Sequence, residues 1–495
     1  MSEVVLSLDE GTTGATAIAV GLDGEIQGKG YEEITQRYPR PGWVEHDPNE
    51  IWSAVQASAR RALEAANAKP SDVRAVGITN QRETLVLWDR RTLQPVAPAI
   101  VWQDRRTADQ CARLREAGHE ARVREITGLV LDPYFTATKL AWALEHVDGA
   151  KDAAAGTVDS WLVAKLSEGR DHVTDASNAS RTLLFDIERG VWSEEMAELF
   201  RVSLANLPRV ADSSGPISRS LGEIAAPITG IAGDQQAALF GQACTADGMA
   251  KNTYGTGSFV LMQTGARRAA SSSGMLTTVA WRRDGALSYA LEGAIFVTGA
   301  ALQWLRDGLG IIGSASEAGP LAASVPDAAG VFLVPAFVGL GGPHWDPYAR
   351  GTIVGLTRGT TRAHLVRAAV EAMAFQTRDV VEAMQSDTGR PLTELRVDGG
   401  AAVMDVLCQL QADLLGIPVR RPRHTETTAL GAAFLAGLGA GVWNEADLAN
   451  LWKLDREFEP MMSRDQADGL QARWRQAVER SRGWAEGSPG PPGRS

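Results

Sequence analysis

The chain contains 495 residues and carries a formal net charge of −11. Hydrophobic residues make up 44% of it and charged residues 22%, a composition typical of a globular protein with two or three domains. Because a protein neutralises nucleic-acid phosphates with a basic face, the acidic balance argues against a nucleic-acid partner.

The cysteine spacing and the hydropathy pattern indicate the cellular compartment of the protein. Cys111, Cys244 and Cys408 are widely spaced and form no CxxC pair, so we expect reduced thiols and no zinc site. The apolar run Val4–Leu8 is too short for a secretory signal, and the Ala/Gly-rich stretch 429–443 is shorter than a membrane span. We therefore expect a cytoplasmic protein without membrane insertion, whose stretch 429–443 forms a tightly packed internal helix.

The first predicted strand, Val4–Leu8, leads into the sequence DEGTTG at 9–14, and a second predicted strand follows at Thr16–Val20. A Gly/Thr-rich turn between strands presents backbone N–H groups and hydroxyls to anionic oxygens. Asp9 lies where the strand ends and has the oxygen chemistry that magnesium prefers. An ordinary turn aspartate is the alternative interpretation.

A predicted helix at Glu50–Asn67 precedes a predicted strand at Val73–Thr79, after which come Arg82 and Glu83. Ligand-contacting side chains collect at the C-terminal ends of strands in α/β sheets. An adjacent Arg and Glu suit a small polyol, since Arg donates to hydroxyl oxygens and Glu accepts from hydroxyl protons. A surface ion pair is the alternative.

Trp102 and Tyr134 could form the walls of such a pocket, although most of the 14 tryptophans are expected in the core. A loop-rich segment is predicted at 211–227, and Asp234 then opens a predicted helix. An aspartate at this position commonly caps a helix. Phosphoryl transfer to an alcohol, however, needs a carboxylate that accepts the hydroxyl proton, which makes Asp234 the candidate base.

The second half of the chain repeats this organisation. The sequence NTYGTGS at 252–258 partly echoes the first turn, and a predicted strand at Leu395–Val397 breaks at DGGA, 398–401. The DGGA sequence resembles the glycine turn at which a backbone approaches an adenosine, although by itself such a sequence is more often a plain strand-to-helix turn. Further predicted elements are strands at Phe259–Met262 and Ser288–Leu291 and helices at Ala300–Arg306 and His364–Gln385.

Two Gly/Thr turns, one in each half, indicate paired domains that hold the phosphates of a nucleotide from opposite sides. The absence of a Walker A sequence and of kinase HRD and DFG motifs excludes P-loop and protein-kinase mechanisms. We predict a polyol-binding first domain at 1–245, a nucleotide-binding second domain at 246–485 and a disordered Gly/Pro-rich tail at 486–495.

Sequence stretches along nearly the whole chain together resemble the FGGY carbohydrate kinase family, and within it the members that act on glycerol. The stretches are DEGTTG (9–14), YPRPGWVEHD (38–47), GITNQRET (77–84), AIVWQDRR (99–106), TGLVLDPYFTATKLAW (127–142), TDASNASR (174–181), GIAGDQQAALFGQ (230–242), AKNTYGTG (250–257), LEGAIFVTGAALQWL (291–305), 334–359 and 397–401.

The resemblance implies an α/β fold with two actin-like, ribonuclease-H-like ATPase domains and a catalytic cleft between them. It implies ATP- and magnesium-dependent phosphorylation of glycerol to sn-glycerol 3-phosphate by a homo-oligomer, either a dimer or a tetramer.

The resemblance also implies three sets of site residues. The glycerol-binding set is Arg82, Glu83, Trp102, Tyr134, Asp234 and Gln235, with Asp234 as the catalytic base. The nucleotide-binding set is Thr12, Thr13, Gly14, Thr256, Gly299, Gln303 and Gly400. Asp9 and Asp234 are the implied metal-site residues.

Four positions depart from the family pattern. Glu10 stands where Gln is usual, Gly14 where Ser is common, and Met404 where an Asn lies near the adenine. Thr16 replaces a frequent nucleotide-contacting Arg, which removes a charge-assisted hydrogen bond worth about 1.5–3 kcal/mol. These departures concern the nucleotide more than the polyol.

Three alternative functions stay open. The first is a kinase for another small polyol or a ketose, against which Arg82, Glu83 and Trp102 favour glycerol. The second is a non-catalytic nucleotide or polyol sensor, against which the retained Asp9 and Asp234 argue. The third is an actin-like filament or a chaperone ATPase, neither of which needs a polyol pocket.

Overall fold

The computed structural model describes residues 3–486. The tail predicted at 486–495 lies outside the described residues from position 487 onward. Among residues 3–486, no helix combines the length and apolar character needed to cross a membrane.

The helices are distributed along both halves of the chain. They are α1 Pro48–Ala65, α2 Ala108–Glu116, α3 Glu120–Thr127, α4 Thr136–His146, α5 Val158–Leu166, α6 Ala176–Ala179, α7 Glu194–Phe200, α8 Asp234–Gly241, α9 Gly299–Gln303, α10 Ala318–Ala323, α11 Arg362–Thr388, α12 Asp405–Leu415, α13 Thr427–Gly439, α14 Glu445–Leu451 and α15 Arg464–Ser481. Short 3₁₀ segments lie at Pro70–Asp72, Leu204–Asn206, Ala315–Glu317 and Gly400–Val403, and a π-helical segment lies at Trp304–Gly308.

The strands are β1 Val4–Glu10, β2 Gly14–Gly21, β3 Ile26–Glu33, β4 Glu45–His46, β5 Val73–Asn80, β6 Val86–Trp88, β7 Ala99–Ile100, β8 Ala154–Gly156, β9 Val173–Asp175, β10 Phe185–Asp186, β11 Val191–Trp192, β12 Arg209–Ala211, β13 Ser214–Arg219, β14 Pro227–Gly233, β15 Ala250–Tyr254, β16 Ser258–Gly265, β17 Leu276–Arg283, β18 Ala286–Ile295, β19 Phe332–Val334, β20 Thr352–Val354, β21 Leu395–Asp398, β22 Val419–Pro422 and β23 Leu454–Phe458.

Thirteen of these strands form one sheet, in the order β23-β22-β21-β15-β16-β18-β17-β13-β14-β5-β1-β2-β3. Within it the same topology occurs twice. In the first half, β2 pairs antiparallel with β1 and with β3, and β5 pairs parallel with β1 and with β14. In the second half, β16 pairs antiparallel with β15 and with β18, and β21 pairs parallel with β15 and with β22. This duplication confirms the predicted fold class of two similar α/β units.

The sheets and the helices of the two halves are both in contact. Their sheets join through a single residue pair, Ser214 of β13 with Arg283 of β17. In addition, α13 from the second half packs on α8 and on the strands of the first half. A side chain at Gly431 of α13 would place its Cβ 1.8 Å from the carbonyl oxygen of Ala237, so the two helix backbones touch directly. This close approach explains why the predicted internal helix is rich in Ala and Gly.

Most predicted elements are confirmed. The helix predicted at 429–443 runs from Thr427 to Gly439, and the helix predicted to open at Asp234 is α8. The loop predicted over 211–227 is wrong at Ser214–Arg219, which form β13. The turn residues in this segment obscured the strand, whose pairing with β14 is itself irregular in register.

Candidate active site

The first Gly/Thr turn connects β1 to β2, and the amide of Gly11 donates to the carbonyl of Gly14 at 3.0 Å. A Cβ at Gly14 would lie 2.5 Å from the hydroxyl of Tyr31 and 2.6 Å from the carbonyl oxygen of Glu32. Gly14 is therefore required by the neighbouring strand β3, which explains the absence of the Ser common at this position. Thr12 and Thr13 lie at the tip of the turn.

The second Gly/Thr turn connects β15 to β16. The amide of Gly255 donates to the carbonyl of Gly257 at 2.8 Å, and the amide of Thr298 donates to the carbonyl of Thr256 at 2.9 Å. The amide of Gly299 also donates to the carbonyl of Gly255 at 3.0 Å. The start of α9 thus holds this turn in place.

A cavity of about 660 Å³ opens beside the second turn. It brings together Thr256, Gly299, Gln303 and Gly400, four of the predicted nucleotide-binding residues, and Met404 also lines it. All of its lining residues lie between positions 254 and 406, so the first turn is not part of its wall. The volume and the apolar walls suit a nucleoside.

Three of the predicted polyol-binding residues, Glu83, Tyr134 and Asp234, converge on the guanidinium of Arg82. Its Nε lies 3.1 Å from Oδ1 of Asp234 and 3.8 Å from Oε1 of Glu83. Its Nη2 lies 3.5 Å from the hydroxyl of Tyr134. Trp102 closes the group, with its ring edge-to-face against Tyr134 at a centroid distance of 5.6 Å.

Glu83 occupies the left-handed region of backbone conformation, with φ of +65°. For a non-glycine residue this conformation is uncommon and costs about 1–3 kcal/mol, and such strain concentrates at functional sites. The turn follows directly from β5, and the amide of Thr84 donates to the carbonyl of Arg82 at 2.8 Å. The side chains of Arg82 and Glu83 are 2% and 1% exposed.

Asp234 is the accessible carboxylate of this group, with 31% of its side chain exposed. It is the first residue of α8, and the amide of Gln235 donates to its Oδ1 at 2.7 Å. Because Arg82 and this amide fix one oxygen, the carboxylate keeps one orientation while facing the cleft. That geometry suits a general base.

Trp102 joins the polyol-binding group to the first turn. Its indole Nε1 donates to the hydroxyl of Thr12 at 2.9 Å, and its amide donates to the hydroxyl of Thr84 at 3.2 Å. The pocket wall and the first phosphate turn are therefore parts of one hydrogen-bonded unit.

Three charged residues at the site were given no role from the sequence: Arg181, Lys251 and Glu292. Glu292 accepts hydrogen bonds from both Arg82 and Arg181. The Nζ of Lys251 donates to Oε1 of Gln235 at 2.5 Å and to the hydroxyl of Thr253 at 2.8 Å. Their only sequence signal is that each lies inside a stretch that carries the family resemblance.

The burial of these groups changes their ionisation. Burial lowers the pKa of Lys251 to about 8, against the opposing charges of Asp398 and Asp234. Burial alone would raise the pKa of Glu292, but the charges of Arg181 and Arg82 outweigh it and lower that pKa to about 2. Burial raises the pKa of Tyr134, so its phenol stays protonated and able to donate.

The carboxylate of Asp9 has other carboxylates near it, an arrangement that favours a divalent cation. Burial, together with the like charges of Asp234 and Glu426, raises the pKa of Asp9 to about 8. A cation beside these carboxylates would relieve that repulsion. The described residues contain no group of three or more His, Cys, Asp or Glu arranged around a metal. Magnesium is commonly held by one or two carboxylates, with water and phosphate oxygens as its other ligands, so Asp9 and Asp234 fit it.

Glu10 lies on the opposite face of β1 from Asp9 and is fully buried. The Nε2 of Gln81 donates to its Oε1 at 2.9 Å. Burial, and to a smaller extent the charge of Asp9, raises the pKa of Glu10 well above its usual value. A protonated carboxylic acid is neutral and close in shape to an amide, which explains how Glu is accommodated where Gln is usual.

Comparison with known proteins identifies the family. Residues 4–241 match the N-terminal domain of the FGGY family of carbohydrate kinases, and residues 250–440 match its C-terminal domain. "Glycerol kinase" of Dechloromonas aromatica is 58% identical over 493 residues, which cover 98% of each chain. "Glycerol kinase 2" of Thermotoga maritima is 55% identical over 490 residues, covering 97% of this chain and 99% of that protein.

Among solved structures, Plasmodium falciparum glycerol kinase with ADP superimposes with a TM-score of 0.91 at 33% identity. The superposition covers 97% of this chain and 98% of the other. The resemblance that the sequence stretches indicated is thereby confirmed, and the chain belongs to the FGGY family of carbohydrate kinases.

Proposed function

We propose that this protein transfers the γ-phosphoryl group of ATP to a terminal hydroxyl of glycerol, giving sn-glycerol 3-phosphate and ADP. The observation that carries the proposal is the position of Arg82, which lies 3.1 Å from Asp234 and 3.5 Å from Tyr134. A cation, a candidate base and a phenol thus lie together, and these are the groups that can bind and deprotonate a small polyol. Relatives named glycerol kinase at 52–58% identity support the choice of substrate.

The chemical step needs only one protein base. Glycerol binds with its hydroxyl oxygens toward Arg82 and Tyr134 and its hydroxyl protons toward Glu83. The carboxylate of Asp234 accepts the proton of the terminal hydroxyl as the oxygen attacks the γ-phosphorus. The new O–P bond replaces the bond to the β,γ-bridging oxygen, which leaves on ADP.

The two Gly/Thr turns bind the phosphates from opposite sides. Thr12, Thr13 and Gly14 offer amides and hydroxyls from the first half, and Thr256 does so from the second half. Asp9 and Asp234 would hold magnesium, which when bound neutralises charge on the phosphate oxygens. The cavity lined by Gly299, Gln303 and Gly400 would take the adenosine.

Two further properties are proposed with this function. The family resemblance supports a homo-oligomer, a dimer or a tetramer, which sedimentation velocity of the purified protein would test. A cytoplasmic location is proposed as well, in keeping with the absence of a membrane-spanning helix among residues 3–486. Neither property enters the chemistry above.

The test is ADP release by the purified protein with ATP and magnesium against a panel of glycerol, dihydroxyacetone, xylulose, ribulose and erythritol. We expect glycerol to give the largest kcat/KM by at least 100-fold. Oxidation of the product by a dehydrogenase specific for sn-glycerol 3-phosphate reports which hydroxyl is phosphorylated. A larger kcat/KM with a ketose, or a folded protein that binds ATP and phosphorylates no acceptor, would refute the proposal.

A further inference from the structure

A cluster of buried charges lies behind the polyol-binding residues. Oε2 of Glu292 accepts from Nη1 of Arg82 at 2.5 Å, and Oε1 accepts from Nη2 of Arg82 at 3.2 Å. Oε1 also accepts from Nη2 of Arg181 at 2.9 Å. The side chains of Glu292 and Arg181 are fully buried, and that of Arg82 is 2% exposed.

The cluster extends to the second polyol-binding residue. Nε of Arg181 donates to Oε1 of Glu83 at 2.7 Å while its Nη2 binds Glu292. Arg181 therefore holds Glu83 and Glu292 at a fixed separation. Two of the three side chains assigned to the polyol hydroxyls, Arg82 and Glu83, are therefore anchored to the carboxylate of Glu292, Arg82 directly and Glu83 through the guanidinium of Arg181.

This carboxylate comes from the other half of the chain. Glu292 lies on β18, 210 positions after Arg82 and 111 after Arg181. It is inside the predicted nucleotide-binding domain, and seven residues further on the chain reaches Gly299 in the wall of the large cavity. The second half thus contributes to the geometry of the polyol pocket as well as to that of the nucleotide cavity.

Two carboxylates, those of Glu292 and Asp234, contact the guanidinium of Arg82. Arg82 lies between Glu292, which is buried, and Asp234, which is accessible. Its Nη1 binds Glu292, and its Nε lies 3.1 Å from Oδ1 of Asp234. Two guanidinium groups are buried here against two carboxyl groups, Glu83 and Glu292. If the charge of Glu292 were removed, Arg82 would pair more closely with Asp234, because an uncompensated buried cation is energetically unfavourable.

We propose that Glu292 is a positioning residue of the polyol site: it holds Arg82, and through Arg181 also Glu83, in the orientation that binds glycerol. The inference rests on the proposed function, because it assigns Arg82 and Glu83 to glycerol. Its readout is glycerol affinity, which a carboxylate that merely stabilised the fold would not change selectively.

The main variant is Glu292→Gln, which keeps the shape of the side chain and removes its charge. We expect the KM for glycerol to rise at least tenfold while the KM for ATP changes less than threefold. Calorimetric titration of the nucleotide-free protein with glycerol should show the same loss of affinity. A glycerol KM within twofold of the wild-type value, or equal increases in both KM values, would overturn the inference.

Glu394→Gln is the matched control. Glu394 also lies in the second half and also pairs with two arginines, Arg396 and Arg420. It directly precedes β21, at the end of that strand opposite Asp398. We expect this variant to lose some thermal stability and to keep the wild-type KM for glycerol. If Glu394→Gln raised the glycerol KM as much as Glu292→Gln does, the effect would be one of general stability and the inference would fail.

Arg181→Lys covers the case in which Glu292→Gln does not fold. It keeps the charge balance of the cluster but has a single nitrogen, which cannot hold Glu83 and Glu292 as the guanidinium does. We expect a glycerol KM raised at least fivefold with the ATP KM unchanged, and a wild-type glycerol KM would again overturn the inference. A wild-type protein that does not phosphorylate glycerol would instead refute the proposed function.

Discussion

The Nε of Arg82 and Oδ1 of Asp234 lie 3.1 Å apart, one on the turn after β5 and the other at the first position of α8. The residue proposed to orient glycerol is therefore in contact with the residue proposed to accept its proton. A displacement of either side chain changes both substrate binding and proton transfer.

Asp234→Asn should lower kcat by at least a thousandfold, because an amide cannot accept the hydroxyl proton. Steady-state ADP release at saturating glycerol and ATP measures the effect, and the melting temperature should stay close to that of the wild type. Asp212→Asn is a suitable control, since Asp212 is 29% exposed and pairs with Nε of Arg282 at 2.6 Å outside the described site. Near-normal turnover of a folded Asp234→Asn protein would remove Asp234 as the base.

Asp9→Asn should raise the magnesium concentration that gives half-maximal rate by at least tenfold. Because burial and neighbouring carboxylates raise the pKa of Asp9 to about 8, a metal bound there must displace a proton near pH 7. Magnesium added to weakly buffered wild-type protein should thus release protons, detected with an indicator dye. Asp23→Asn, on the exposed turn between β2 and β3, should behave like the wild type. Equal proton release by Asp9→Asn would place the metal elsewhere.

Glu10→Gln should keep activity within threefold of wild type, because burial raises the pKa of Glu10 well above its usual value and so favours the neutral form that Gln resembles. The pKa of Glu10 is raised on folding, so the stability it contributes is complete below about pH 4.5 and is lost as pH rises from there. The free energy of unfolding of the wild type should therefore fall relative to that of Glu10→Gln as the pH rises above this value. Urea unfolding of both proteins at pH 5.5 and 7.5 measures the difference, and a constant gap would contradict the assignment.

Thr16→Arg should lower the KM for ATP by roughly tenfold, since it restores a charge-assisted contact worth about 1.5 kcal/mol at least. Thr16 lies on β2, opposite Asp9 of β1 and Tyr31 of β3. Thr16→Met supplies similar bulk without charge and should give no gain. If both variants bind ATP alike, the lost arginine does not limit nucleotide affinity in this protein.

Much of the fold was predictable because its signals are local. The strand Val4–Glu10, the helix that begins at Asp234 and the turn at 255–257 each follow from short runs of residue types. The strand Ser214–Arg219 was missed because its turn-forming residues outweigh its weak apolar pattern, and its pairing with β14 holds it in place instead.

The sequence by itself determined the chemical groups of the site: the two Gly/Thr turns, the carboxylates of Asp9 and Asp234, and the adjacent pair Arg82 and Glu83. Tertiary structure decided how they are held. Glu292 meets Arg82 across 210 positions of sequence, a pairing that no local pattern encodes. It forms because a guanidinium buried between two halves of a protein must be matched by a buried carboxylate, whichever strand brings one within reach.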